Sequence, residues 1–189
     1  QWVDGKLGKA LEFDGVDDYV EVPHSPSISN LASFTVSAWV KLAIDPDDTF
    51  HAIVDKYPDE TYRLYLWSSN DFAFQVTDLD KIDHVLHSNF IPVKNRWYHV
   101  VGTYDGSVAR IYVNGNLKKE ETWSIIPRTG TRPLGIGAQL SGPMWYWNGT
   151  IDEVRIYNRA LTEEEIRALY LSRLPYFKSR EKENNLGYK

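Results

Sequence analysis

Short runs in which every second residue is apolar recur along almost the whole chain, and Gly, Pro, Asn and Asp separate them. A period of two sends successive side chains to opposite faces of a strand, so each run has one face to bury and another to present. The clearest run is SFTVSAWVKL, Ser33 to Leu42, where Phe34, Val36, Ala38, Val40 and Leu42 share one face and Thr35, Ser37, Trp39 and Lys41 share the other. Further runs are TYRLYLW (61 to 67), DFAFQVT (71 to 77), WYHVVGTYD (97 to 105), SVARIYVNG (107 to 115) and GTIDEVRIY (149 to 157), with weaker ones at 50 to 56, 83 to 88, 117 to 123 and 133 to 138. Many short alternating strands with turn residues between them predict an all-β sandwich of antiparallel sheets.

The turns give the order of some strands. Asp105-Gly106 and Asn114-Gly115 each sit between alternating runs and supply the positive φ of tight hairpins, which predicts a three-stranded meander over 97 to 123. One short helix is expected late in the chain. Thr162 can cap its N-terminus, Glu163, Glu164 and Glu165 suit its first turn, and Glu165 completes a capping box. Beyond Leu171 the sequence turns polar and basic, so residues 1 to 171 read as one folded domain and 172 to 189 as a polar tail or linker, unless Leu174, Tyr176 and Phe177 dock on the sandwich. The chain opens at Gln1 without an initiator methionine, and we read it as a segment of a longer protein.

Charge and composition narrow the partners. With 189 residues and a net charge of -5, the chain lacks the dense basic face that nucleic acid requires, and no apolar run is long enough for a membrane span. The absence of cysteine removes disulfides, thiolate metal sites and a cysteine nucleophile.

Three stretches read together carry a resemblance: GKLGKALEFDGVDDYVEV near the start, RWYHVVGTYDGSVARIYVNGN in the middle and NGTIDEVRIYNRALTEEEIRALY near the end. With SFTVSAWVKL they run in the order found in laminin G-like (LamG-like) domains of the concanavalin A-like lectin and glucanase superfamily, which the chain resembles over roughly residues 5 to 170. The resemblance implies a two-sheet jelly-roll with its chain ends close together, frequently a structural calcium, and a non-catalytic, extracellular or cell-surface role in binding glycans or proteins. On this basis the expected function is a lectin-like carbohydrate-binding module, a piece of a larger extracellular protein whose partner is a polysaccharide or other glycan. A protein-interaction or adhesion module is the alternative, and a polysaccharide hydrolase or lyase the third reading.

The carboxylates sort between these readings. FDGVDDYVEV, Phe13 to Val22, crowds oxygen donors ahead of a strand, yet it lacks the spacing of an EF-hand. The resemblance puts a Ca2+ site where the first and last strands meet, with Asp14, Asp17, Asp18 and Asp152 as the matching positions. Aspartates in this segment could equally cap turn amides. The superfamily's glucanases carry a Glu-x-Asp-x-x-Glu run, and this sequence has none; in IDEVRI, Glu153 with Arg155 reads as a surface ion pair. His84 and His87, three apart, fall on opposite strand faces, which does not suit a lyase pair.

Sugar binding calls for exposed aromatic rings beside groups that hydrogen-bond hydroxyls. Among 7 Trp and 12 Tyr, most are expected in the core, including Trp97, Tyr112, Tyr157 and Tyr19. The alternation sets a smaller group apart: Trp39, the face shared by Arg63, Tyr65 and Trp67, and the loop aromatics Trp145 and Trp147, with Gln75 from the next strand. These seven are the expected ligand-binding residues.

Overall fold

The alternating runs pair into two antiparallel sheets. The computed structural model describes residues 1–56, 62–141 and 144–171. Among the described residues the larger sheet has the order β1 (Trp2–Asp4), β2 (Lys9–Asp14), β13 (Asn148–Tyr157), β4 (Phe34–Leu42), β9 (Trp97–Tyr104), β10 (Val108–Val113) and β11 (Asn116–Thr122). The smaller has β3 (Val20–Val22), β12 (Leu134–Ile136), β5 (His51–Asp55), β6 (Tyr62–Leu66), β7 (Phe72–Thr77) and β8 (Asp83–His87). This is the expected jelly-roll sandwich, and the pairing of β2 with β13 joins the two ends of the fold. The predicted tail, 172 to 189, lies outside the described residues.

The inward faces interlock as the pattern requires. Phe34, Val36, Val40 and Leu42 of β4 meet Tyr62, Leu64 and Leu66 of β6 and Phe72, Phe74 and Val76 of β7 in one core. The sheets approach closely at Gly102, where a Cβ atom would lie 2.2 Å from the Phe74 ring. Only glycine leaves that ring its place. The predicted meander is β9, β10 and β11, and its second turn has Asn114 at φ 54° and Gly115 at φ 75°, the left-handed pair of a tight hairpin. Two expected core aromatics lie elsewhere. Tyr19 is 47% exposed because it precedes β3, an edge strand, and Trp97 pairs with Lys41 on the outer face of the larger sheet, half-buried.

That outer face carries a second, smaller core. Helix α1 (Glu163–Tyr170) lays Ile166 and Leu169 on Val101 and Tyr112, with Leu161 beside them and Tyr157 packed against the group. Its capping box forms as predicted, with Thr162 accepting from the Glu165 amide and Glu165 accepting from the Thr162 amide. Arg159 grips Glu165 through two hydrogen bonds of 2.7 Å and lowers its carboxyl to about 2. Both faces of β4 are therefore covered, one by the sandwich and one by the helix.

Candidate functional site

The outer face of the smaller sheet gathers the polar and aromatic residues that the alternation had set aside. Register places Asp55, Arg63 and Gln75 in one row across β5, β6 and β7, and Ala52, Tyr65, Ala73 and His87 in the next. Arg63 lies 3.3 Å from Asp55 and sits over the rings of Tyr65 at 5.6 Å and Trp145 at 5.0 Å. The Tyr65 hydroxyl donates to Gln75 Oε1 at 3.0 Å, and burial pushes its phenol up, so that it stays a donor. Arg63, Tyr65 and Gln75 are 4%, 1% and 2% exposed. They form the floor of this face rather than its contact surface.

The rings above them are half-buried and offer the contact surface. Phe50 stacks on Trp145 at 4.6 Å and meets Trp67 edge-on at 4.7 Å, Tyr65 lies 5.3 Å from Trp67, and His87 reaches Trp67 at 5.0 Å. Two loops frame this end. Asp48 and Asn70 exchange hydrogen bonds of 3.0 and 2.6 Å between the segment before β5 and the turn before β7, both with positive φ. The loop bearing Trp145 is tied to β5, since Ala52 donates its amide to Trp145 O at 2.8 Å and His51 Nδ1 donates to Tyr146 O at 2.8 Å. His51 Nε2 lies 2.9 Å from Asp47. Against a desolvation that would raise it, hydrogen bonds from Thr49 and His51 hold the Asp47 carboxyl below its usual value. The frame is rigid because each loop is fixed by more than one bond.

Two of the seven expected ligand residues are corrected. Trp39 is only 3% exposed: it lies on the other sheet, stacked on Tyr170 at 5.5 Å, beside His99 at 5.2 Å and under Lys6 at 4.6 Å. The alternation placed it opposite the main core correctly, and the helix then covered it. Trp147 is 1% exposed and belongs to the sandwich core. Arg63, Tyr65, Trp67, Gln75 and Trp145 do come together. The structure adds Phe50, His87 and Asp55, which no alternation links to them, and Asp71, which alternates with Gln75 and meets His87 through its side chain. Phe50 follows a loop of aspartates and proline, and His87 and Asp55 join only through cross-strand pairing.

The carboxylates divide into two places. Asp14, Asp17 and Asp18 bring one oxygen each within 4.8 Å of one another in an exposed loop, and the side chain of Asn148 lies against Gly15 in the same loop. Amides of Val16 and Asp17 donate to Asp14 Oδ1 and hold its carboxyl below the ordinary value. An all-oxygen donor set of this kind fits Ca2+. Asp152 is not part of it. Its Oδ2 accepts from the Leu7 amide at 3.0 Å and its Oδ1 from the Glu153 amide at 2.8 Å. With Asn148 opposite Asp14, Asp152 stands four residues further along β13, roughly 13 Å away. A bulge follows at once, where Glu153 takes φ 49° and pairs with Arg155, the ion pair expected from IDEVRI.

The fold matches that of known proteins. The sequence profile of the concanavalin A-like lectin/glucanases superfamily matches residues 14–167. The chain belongs to that superfamily. No curated protein sequence matches it. Among solved structures it is similar to the binding domain of Paraclostridial Mosquitocidal Protein 1, with a TM-score of 0.78 and 19% identity, covering 92% of this chain and 45% of that one. It is similar also to domain 4 of AbnA, a GH43 extracellular arabinanase from Geobacillus stearothermophilus, solved with arabinotriose, at a TM-score of 0.73 and 22% identity over 89% of this chain and 80% of that one. A third is the binding domain of botulinum neurotoxin serotype G, at 0.69 and 17% over 92% of this chain and 44% of that one. The chain thus spans less than half of each toxin domain. At these identities the likeness establishes the fold.

Proposed function

We propose that this domain is a non-catalytic carbohydrate-binding module of an extracellular or cell-surface protein, and that its glycan lies across the outer face of the smaller sheet. The observation that carries this reading is the ridge of half-buried rings, Phe50, Trp67 and Trp145, set on a floor of Arg63, Tyr65 and Gln75. Rings offer flat apolar area for a sugar face, and a rigid polar setting orients its hydroxyls at small entropic cost. The carboxylates of this face serve structural roles: Asp55 is the ion-pair partner of Arg63, Asp71 accepts from Ser69, His87 and the Asn89 amide, and Asp83 accepts from Thr77. Arabinotriose in a domain of the same fold supports a sugar as the ligand class. A structural Ca2+ held by Asp14, Asp17 and Asp18 belongs to the same proposal.

Retention on polysaccharide-containing gels tests it, with arabinan, xylan, galactan, mannan and β-glucan as the panel. Retention by at least one, lost in Trp67→Ala, is expected; migration unchanged on every gel would refute the reading. A protein-docking module remains the second reading on one observation. Leu79, Ile82 and Ile126 are exposed and adjacent, held by hydrogen bonds from Leu79 N to Ile126 O and from Asp78 N to Ile82 O. Substituting those three to Ser leaves glycan retention intact if the ring ridge is the site.

A further inference from the structure

The charges around the rings limit which glycan this face takes. We infer that its ligand is an uncharged glycan and that carboxylated glycans are rejected; this rests on the carbohydrate-binding reading above. Among the described residues, the side chains that β5 to β8 and the two framing loops present here include five carboxylates, Asp47, Asp48, Asp55, Asp71 and Asp83, and one guanidinium, Arg63. Arg63 is the group a uronate would seek, and it already faces Asp55 at 3.3 Å while 4% exposed beneath Trp145. A ligand carboxylate would have to displace Asp55 or remain unpaired beside it, and an unpaired buried charge is costly.

The end of the face where Trp67 is accessible is the more acidic one. Asp47 and Asp48 lie on the loop leading to Phe50, and Asp71 lies on the turn after Trp67. The histidines there are each set against one of these acids, His51 against Asp47 and His87 against Asp71 at 3.1 Å. A carboxylated sugar approaching Trp67 meets three carboxylates there, Asp47, Asp48 and Asp71, and is repelled. A sugar bearing only hydroxyls loses nothing by it, because carboxylate oxygens accept hydroxyl hydrogen bonds well. Repulsion of the wrong ligand is a route to specificity in its own right.

The experiment pairs neutral polysaccharides with carboxylated ones, polygalacturonate, alginate and hyaluronan, on affinity gels and by calorimetry at low salt. Neutral binding with carboxylated binding about tenfold weaker or absent is expected. The Asp48→Asn, Asp83→Asn double variant, in which each amide oxygen keeps an acceptor for Asn70 or Thr77, narrows that gap, and so does raising the salt to about 0.5 M. Tighter binding to the carboxylated members overturns this inference and leaves the carbohydrate-binding reading standing. Binding to no glycan at all overturns both.

Discussion

Trp67 and Trp147 show how differently two tryptophans of one chain are used. Both were expected at the ligand, yet Trp67 stays half-buried against Phe50 and His87 while Trp147 is sealed in the core with its Nε1 unpartnered among the described residues. Trp67→Ala is expected to weaken glycan binding about tenfold or more, as measured by calorimetry, with an unfolding midpoint in urea close to that of the parent. Trp147→Ala and Trp39→Ala should instead each cost about 3–5 kcal/mol of stability, because a large ring leaves a cavity that its neighbours only partly fill. Trp39→Ala that binds glycan more weakly at unchanged stability would contradict its place under α1. Arg63, Tyr65 and Gln75 were legible from alternation alone, since a period of two reports which side of a strand a residue is on. What it does not report is whether that side is covered, and Trp39 was misplaced for this reason.

At the scale of elements, the contact between α1 and the larger sheet contains an acid-sensitive group. His99 is buried beneath Trp39 and Tyr170, its Nδ1 has no partner among the described residues, and desolvation together with nearby Arg155 lowers it to about 4. An unfolded histidine takes up its proton near pH 6.5. Between those values the unfolded state binds more protons, so stability is complete above about pH 6.5 and declines as pH falls towards 4. The loss approaches about 3 kcal/mol at the lower end of that window. Denaturation midpoints between pH 7.5 and 4 should show this slope and should lose most of it in His99→Gln; an equal slope in the variant would exclude His99 as the cause. Glu165 acts in a lower window: with its carboxyl lowered to about 2 in the fold, its contribution to stability is full above about pH 4.5 and is lost as pH falls towards 2. Its capping partner offers a separate check: Thr162→Ala should cost about 1 kcal/mol by removing the acceptor for the Glu165 amide. Glu163 to Glu165 after Thr162 announced that helix in the sequence, and Asn114-Gly115 announced the hairpin, because both signals are local.

For the molecule as a whole, the proposed Ca2+ would reinforce the junction where β2 meets β13, adding stability by binding the folded state alone. Chelation should lower the melting temperature of the parent, and Asp14→Asn should melt low with or without calcium. Asp152→Asn should lose stability yet keep its response to calcium, since its carboxylate holds the Leu7 and Glu153 amides instead. A melt indifferent to chelation, with no metal bound, would remove the ion from the proposal. The sequence by itself determined the sandwich, the strands from Phe34 onward, the meander, the capped helix and the sidedness of Arg63, Tyr65 and Trp67, because each depends on periodicity or on neighbours within a few residues. The tertiary structure alone decided that Trp39 and Trp147 are covered, that Phe50 and His87 join Trp67, and that Asp152 stands apart from Asp14, Asp17 and Asp18. Those are relations of register and packing between residues tens to more than a hundred positions apart, and a one-residue slip in pairing or a helix laid on one face changes them without altering any local pattern.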